Sequence, residues 1–491
     1  MTLIATALLI VTTAALLVST WWRLRRPIDA ALIFPLAWLA LIPFQILIFG
    51  FLRGYSGAPR DNLYVSVSIG NLTFLGLQQF LGSRPFARLA EWVRGRLAPS
   101  QETSPRDWER LASYWWYGLA ALAVGLALAH LWLMPRVPLF ELLAGANDPY
   151  QLQLDRENAA KLLAVPSIVR YFFTWDSSIL LPILFVAAVL YRWRYRAIFA
   201  GVFGLIYVTA PLDKMPSLLF LFTAFVALAV RDRRRAFSKV LIVGLIVSLL
   251  PAYLISESQP ISLAIHHAIG APVAPFSVPS PQSNAPPPGE VPIKSIAGIP
   301  LPGPVATLMD LTLRRIGSGP ADVMYQWFSY FPSAHPFLNG YGWEPWKVLS
   351  PGYQSPANMV GLWAYYGKFG YQLVSLSAYT GFVADGWAEF GYIGVLIACL
   401  WLFAFAVVIQ LMGAFSDKPF CLACYVPCML LVAVMAPQGG IMAITFSLGL
   451  AWAPLICAGY LLSGRLRLSA ARSMPEAEPA QREPSGRTAT G

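Results

Sequence analysis

SLSAYTGFVADGWAEFGYIGVLIACLWLFAF, residues 375–405, joins the two kinds of sequence from which this chain is built. Its first half is polar and aromatic and carries two carboxylates, Asp385 and Glu389. Its second half is an apolar run, entered through the step Gly391-Tyr-Ile-Gly394. A bilayer crossing needs about 20 such residues, because the hydrocarbon core is about 30 Å thick and a helix rises about 1.5 Å per residue. The stretch therefore marks the point where a long external loop, 256–385, meets the membrane.

Outward from there the same pattern repeats. The 491 residues are 57% hydrophobic and only 12% charged, about half the charge of an ordinary soluble protein, roughly 25%. Apolar segments at 2–20, 28–52, 63–82, 111–133, 177–191, 197–211, 217–230, 240–255, 386–412, 420–436 and 442–461 predict an all-α polytopic membrane protein with about eleven transmembrane helices and a large periplasmic loop. The short pair 197–211 and 217–230 flanks Pro211-Leu-Asp-Lys-Met-Pro216 and can dip into the bilayer instead of crossing it. The chain divides into an N-terminal bundle of about eight spans (1–255, with an external loop at 135–176), the loop 256–385, C-terminal spans (386–461) and a disordered cytoplasmic tail (462–491).

Lysine and arginine orient the chain. The connectors at 21–27, 83–110, 192–196, 231–239 and 413–419, with the tail, hold 23 basic residues, and the opposite side holds 12 despite its longer loops. The dense side is cytoplasmic by the positive-inside rule, which puts the N-terminus and both long loops outside and the C-terminus inside. The net charge of +11 is thus a topology signal at span ends, and nucleic acid is not an expected partner. Arg23, Arg25 and Arg26 follow the first span and no basic residue precedes it, so that span reads as an uncleaved anchor. All five cysteines lie in or beside the last three spans and read as buried apolar thiols. Asn71-Leu-Thr73 falls inside a span, where a glycosylation triplet has no meaning.

The external loops carry the chemistry. In 135–176, the stretch Pro149–Ala164 suits a short interfacial helix. In the larger loop, eleven prolines in 272–304 predict an extended tether. VATLMDLTLRRIG (305–317) reads as a helix, and Pro320 can open a second over Ala321–Phe331. Nine aromatic rings crowd 325–346, among them Trp327, Tyr330 and Trp343. A membrane-surface belt uses some of them, and rings with a polar handle also suit sugars, whose C–H faces stack. The external cations Arg156, Arg170, Lys214 and either Arg314 or Arg315 suit a lipid pyrophosphate, since guanidinium forks bind phosphate bidentately. Lys214 can equally pair with Asp213. Candidate proton acceptors are Glu389, Asp385, His335 and Glu344. No metal-binding motif and no cofactor signature is present in the sequence.

In chain order, Pro138-Leu-Phe140, Asp155-Arg156, Lys214 with Pro216, Arg314-Arg315, Phe337-Leu-Asn-Gly340 and the helix entry Ala388–Gly394 resemble the bacterial O-antigen polymerase group, the oligosaccharide repeat-unit polymerases. The resemblance covers about 130–400, and the proline-rich insert departs from it. It implies a GT-C-like glycosyltransferase of the bacterial inner membrane, metal-independent and without cofactor, that moves a growing glycan from undecaprenyl pyrophosphate onto the next lipid-linked repeat unit at the periplasmic face. A chain-length regulator is the protein partner it implies. On that reading Arg156, Arg170, Lys214 and Arg314 or Arg315 hold the donor pyrophosphate, and Trp327, Tyr330 and Trp343 position sugars. Glu389, ranked before Asp385 and His335, orients or deprotonates the acceptor. A ligase using the same donor, and a transporter or flippase, are the rival readings. The second would keep charges along the spans or show internal repeats.

Overall fold

The computed structural model describes residues 2–52, 55–97, 104–144, 155, 159, 167–212, 214–232, 239–256, 295–296, 299–300, 319–343, 355–369, 380–440 and 443–473. Apart from a two-residue antiparallel pair, β1 (Ser295–Ile296) with β2 (Ile299–Pro300), the regular elements among these residues are helical. In chain order they are α1 (Thr2–Arg23), α2 (Ala30–Leu41), α3 (Pro43–Leu52), α4 (Gly57–Leu81), α5 (Arg84–Leu97), α6 (Pro105–Leu133) and α7 (Pro138–Leu143). Next come α8 (Ser167–Trp175), a π-helical turn (Asp176–Leu180), α9 (Leu181–Leu190), α10 (Arg194–Thr209), α11 (Lys214–Arg231) and α12 (Lys239–Ser256). The C-terminal part holds α13 (Gly319–Tyr330), α14 (Pro356–Phe369), α15 (Phe382–Phe390), α16 (Tyr392–Gly413), α17 (Pro419–Met435) and α18 (Trp452–Ser473).

Five apolar helical segments among the described residues are long enough to cross a membrane: Leu3–Arg23, Ala30–Ile48, Pro105–Leu133, Val169–Leu190 and Tyr392–Gly413. Their outer faces carry exposed large apolar residues, such as Leu3, Ile4 and Val11 on α1 or Ile393, Leu396 and Leu400 on α16. Apolar surface of that extent needs an apolar solvent. The chain is a helical membrane protein. All eleven predicted segments contain helix, with boundaries moved where backbone geometry decides.

Three boundaries are corrected. The segment 386–412 is two helices, because Gly391 at φ 61° and ψ −137° breaks it between α15 and α16. The fifth segment begins at Ser167, ten residues before its apolar core. The last opens with a π turn, Ala443–Ser447, and its main helix starts only at Trp452, after Gly449 at φ 76°. That helix runs to Ser473, so it takes up the first part of the predicted tail. Of 149–164 only Asp155 and Ala159 are described, both helical. The stretch 305–317 lies outside the described residues, as does 272–304 apart from the short strand pair.

The bundle is built around α17, in which 14 of 17 residues are buried. A helix apolar on every side belongs inside protein, and α2, α9, α11, α16 and α18 pack on it. Cys421, Cys424 and Cys428 on α17, with Cys399 and Cys457, are free thiols buried in this core. A polar seam ties α1, α2 and α4 together. Asn71 accepts from the Trp38 indole (2.8 Å) and donates to Thr12 Oγ1 and Thr13 Oγ1 (3.1 and 3.0 Å). The glycosylation-like triplet is thus an interhelical hydrogen-bond node, satisfied as lipid surroundings require.

Candidate functional site

At the C-terminal side of the bundle, α15 folds back on α16 as a tight helical hairpin. Its closeness comes from glycine. A Cβ on Gly386 would lie 2.5 Å from the Gly394 carbonyl oxygen, and one on Gly394 would collide with the Gly386 carbonyl. Only two residues without side chains let these backbones meet. The step Gly391–Gly394, read from sequence as a helix entry, is therefore the hinge of a hairpin.

The loop Phe337–Trp343 closes over the end of α15. Leu338 N–H donates to the Ala388 carbonyl and Asn339 N–H to the Glu389 carbonyl, each at 2.9 Å. These contacts satisfy carbonyls that a helix end leaves without partners. Asn339 (φ 53°) and Gly340 (φ 92°) make the sharp bend this requires. Gly391 and Phe337 are in close contact, as are Gly340 and Phe390. Two motifs of the resemblance, Phe337–Gly340 and Ala388–Gly394, thus lie against each other in space.

The two carboxylates of α15 have separate surroundings. Glu389 is 0% exposed, and its Oε2 accepts from the N–H groups of Gly340 (2.9 Å) and Gly342 (3.2 Å). It clamps the loop to the hairpin. Asp385, one turn earlier, is half-buried, and its Oδ2 accepts from the Trp343 indole N–H at 2.8 Å. A Cβ on Gly440 would stand 2.7 Å from the Asp385 carboxyl, so glycine there lets the backbone pack closely on the group. Sequence reasoning ranked Glu389 first and missed Gly440, although the breaker Pro437-Gln-Gly-Gly440 marks the position.

Above the hairpin, α13 brings the aromatic segment down onto α3, α4 and α15. Tyr55 stacks on Tyr325 (centroids 4.1 Å apart) and bonds to Asp322. Trp327 is 3% exposed, and Phe328 and Phe331 are fully buried. Trp327 is a core ring of this cap, which corrects its assignment as a sugar platform. Tyr330 is half-buried, between His335 (5.7 Å) and Trp363 (5.3 Å). Desolvation pushes its phenol above the ordinary value, so it stays a neutral hydrogen-bonding group. His335 donates from Nδ1 to the Pro336 carbonyl at 2.7 Å. Trp343 packs its ring against Phe390 at 5.8 Å.

The segment after α17 links this hairpin to a second region. Phe382 N–H donates to the Ala436 carbonyl (3.1 Å), Gly440 faces Asp385, and the Trp175 indole donates to the Phe446 carbonyl. Trp175 ends α8, the helix that carries half-buried Arg170. The short helix α7, from the Pro138-Leu-Phe140 motif, docks on the turn before α11. Leu139 N–H donates to the Ala210 carbonyl (3.0 Å), and Leu142 packs on Leu212. Lys214 opens α11 directly after that turn, and its side chain is outside the description. Arg156, Arg314, Arg315 and Glu344 also lie outside the described residues. Among the described residues, no three His, Cys, Asp or Glu side chains converge.

No family model, curated protein or solved structure matches this chain.

Proposed function

We propose that this chain is a glycosyltransferase of the bacterial inner membrane that polymerises polyprenyl-pyrophosphate-linked oligosaccharide repeat units on the periplasmic face. It crosses the bilayer eleven times, with the N-terminus outside and the C-terminus in the cytoplasm. The observation that carries the reading is the half-buried Asp385, oriented by Trp343 and packed against Gly440 beneath an aromatic cap. The meeting of the Phe337–Gly340 and Ala388–Gly394 motifs supports it further.

In this reading Asp385 takes the proton of the acceptor hydroxyl. The freed oxygen bonds to the anomeric carbon of the donor glycan, and the bond from that carbon to the pyrophosphate oxygen breaks. The electron pair leaves with the polyprenyl pyrophosphate. Arg170 and Lys214, with Arg156 and Arg314 or Arg315, stabilise that charge, each by about 3–4 kcal/mol if it acts as an aligned donor. Tyr330, His335 and Trp343 offer ring faces and polar handles to sugars. Glu389 acts through the loop it clamps, as a positioning residue.

The test uses cells that depend on this chain for long glycan. Replacing Arg170 by alanine or by lysine should leave single lipid-linked repeat units in place of long chains, with lysine rescuing poorly because it lacks the fork. Long glycan of normal length in both variants, at normal protein level, would remove Arg170 from the donor site. Full-length chains accumulating on the carrier lipid, without transfer to a final acceptor, would make the protein a ligase.

A further inference from the structure

Asp176 is a carboxyl that the outer site does not use. It is 0% exposed and opens the π-helical turn within the apolar segment Val169–Leu190. Among the described residues, neither of its carboxyl oxygens has a hydrogen-bond partner. An ionisable side chain inside a membrane segment is costly and is kept where it has work to do. π-helical turns recur at such places.

A second pair of polar groups lies beside it. Tyr207 on α10 is within electrostatic range of Asp176, and its hydroxyl is 2.7 Å from His130 Nδ1 on α6. The His130 ring also hydrogen-bonds to the backbone of Ala159 and stacks on Phe173, with centroids 4.4 Å apart. A ring nitrogen that meets a carbonyl donates to it. In the neutral tautomer that leaves Nδ1 as the acceptor, with the Tyr207 hydroxyl donating to it. In that tautomer the pair is neutral, and the formal charge of the cluster is the one Asp176 can carry.

The helices packed around the turn supply little else. Of these, α9 and α17 contain no charged residue. Those of α6, α10 and α18 lie in Arg106–Arg110, Arg194–Arg196 and Arg465–Arg472, away from His130 and Tyr207 along the first two helices. Lys214 and Arg231 stand at the two ends of α11, Arg170 is six residues before Asp176 on α8, and the thiols of α17 and α18 are buried.

We infer that Asp176, with the Tyr207–His130 pair, is an intramembrane site for one small monovalent cation, a proton or a sodium ion. One carboxylate and two neutral partners balance one positive charge and no more. His130 lies in the last turn of α6, and Tyr207 lies two residues before the end of α10, so the pair reaches from Asp176 toward these helix ends. The site shares no residue with the hairpin, and its occupancy is read without any glycan-transfer assay.

The experiment is infrared difference spectroscopy on the full-length protein in bilayer nanodiscs, comparing wild type with Asp176→Asn, and with Tyr207→Phe as the milder variant. Spectra are taken in sodium and in a large organic cation, at mildly acidic and mildly alkaline pH. A proton site gives a protonated-carboxyl carbonyl band that is lost in Asp176→Asn and shifted in Tyr207→Phe, whichever cation is present. A sodium site gives that band only when sodium is withheld. An Asp176 carboxylate signal that changes with neither pH nor sodium would mean a permanent ion pair and would overturn the inference. If Asp176→Asn fails to fold, the Tyr207→Phe shift decides, and a band unmoved there also overturns it.

Discussion

The α15–α16 hairpin and the π-helical turn at Asp176 each take a carboxyl group fully out of water, and they treat it in opposite ways. Glu389 receives two backbone N–H groups and holds a loop in place. Asp176 receives no hydrogen bond to either oxygen from the described residues. Burial alone therefore does not separate scaffold from function. The partner set does: a carboxylate whose oxygen is committed to the backbone is part of the frame, and one without hydrogen bonds is held for something that comes and goes. Asp385 supplies the middle case, half-buried, with the Trp343 indole donating to its Oδ2 and Gly440 packed close by.

The largest expected effect sharpens the contrast within the hairpin. Asp385→Asn keeps the shape and the Trp343 contact but cannot take a proton. Removing a general base typically lowers turnover by about 10²–10⁴, and glycan elongation by the purified protein should fall in that range with its melting temperature unchanged. Glu389→Ala should do the reverse. It abandons two buried donors at about 1–3 kcal/mol each, so thermal unfolding in detergent should show a marked loss of stability. Glu389→Gln should recover most of it through its amide oxygen. A Glu389→Gln protein that is stable, well folded and inactive would break the contrast and return Glu389 to the chemistry.

Between these effects lies the glycine contact. Gly394→Ala drives a methyl group into the Gly386 carbonyl, and overpacking of this kind costs roughly 1–3 kcal/mol. Its melting curve should fall while that of Gly118→Ala, where nothing lies within 4 Å of the added Cβ, does not. The smallest effect belongs to the other member of the comparison. Asp176→Asn exchanges one buried polar group for another of nearly the same volume, so its melting temperature should move less than that of Gly394→Ala. A large loss of stability would show that Asp176 has a structural partner.

The helices were legible because an apolar run of span length has few alternatives in lipid. So were the two carboxylates of α15 and the crowding of rings near them, since charge and aromatic clusters stand out against an apolar background. The break at Gly391 was not. Apolar residues run from Tyr392 through the span, and a glycine at positive φ looks in sequence like any other glycine. The division of the rings was equally hidden. Trp327 and Trp343 look alike in sequence, yet α13 turns one into the cap's core while the loop bend at Asn339–Gly340 brings the other to Asp385. Asp176 was passed over because it falls at a predicted span boundary, where a carboxylate reads as a headgroup-level residue. Only the earlier start of the helix at Ser167 places it inside.

The central claim is that this chain joins lipid-linked repeat units at its outer face. It is tested most directly by reconstituting the purified protein in liposomes with a polyprenyl-pyrophosphate-linked oligosaccharide and following product length and release of polyprenyl pyrophosphate, with and without EDTA. The account predicts a ladder of oligomers, one polyprenyl pyrophosphate released per bond formed, no loss with EDTA, and collapse of the ladder in Asp385→Asn. Folded wild-type protein that binds the substrate yet yields neither oligomer nor polyprenyl pyrophosphate would contradict it.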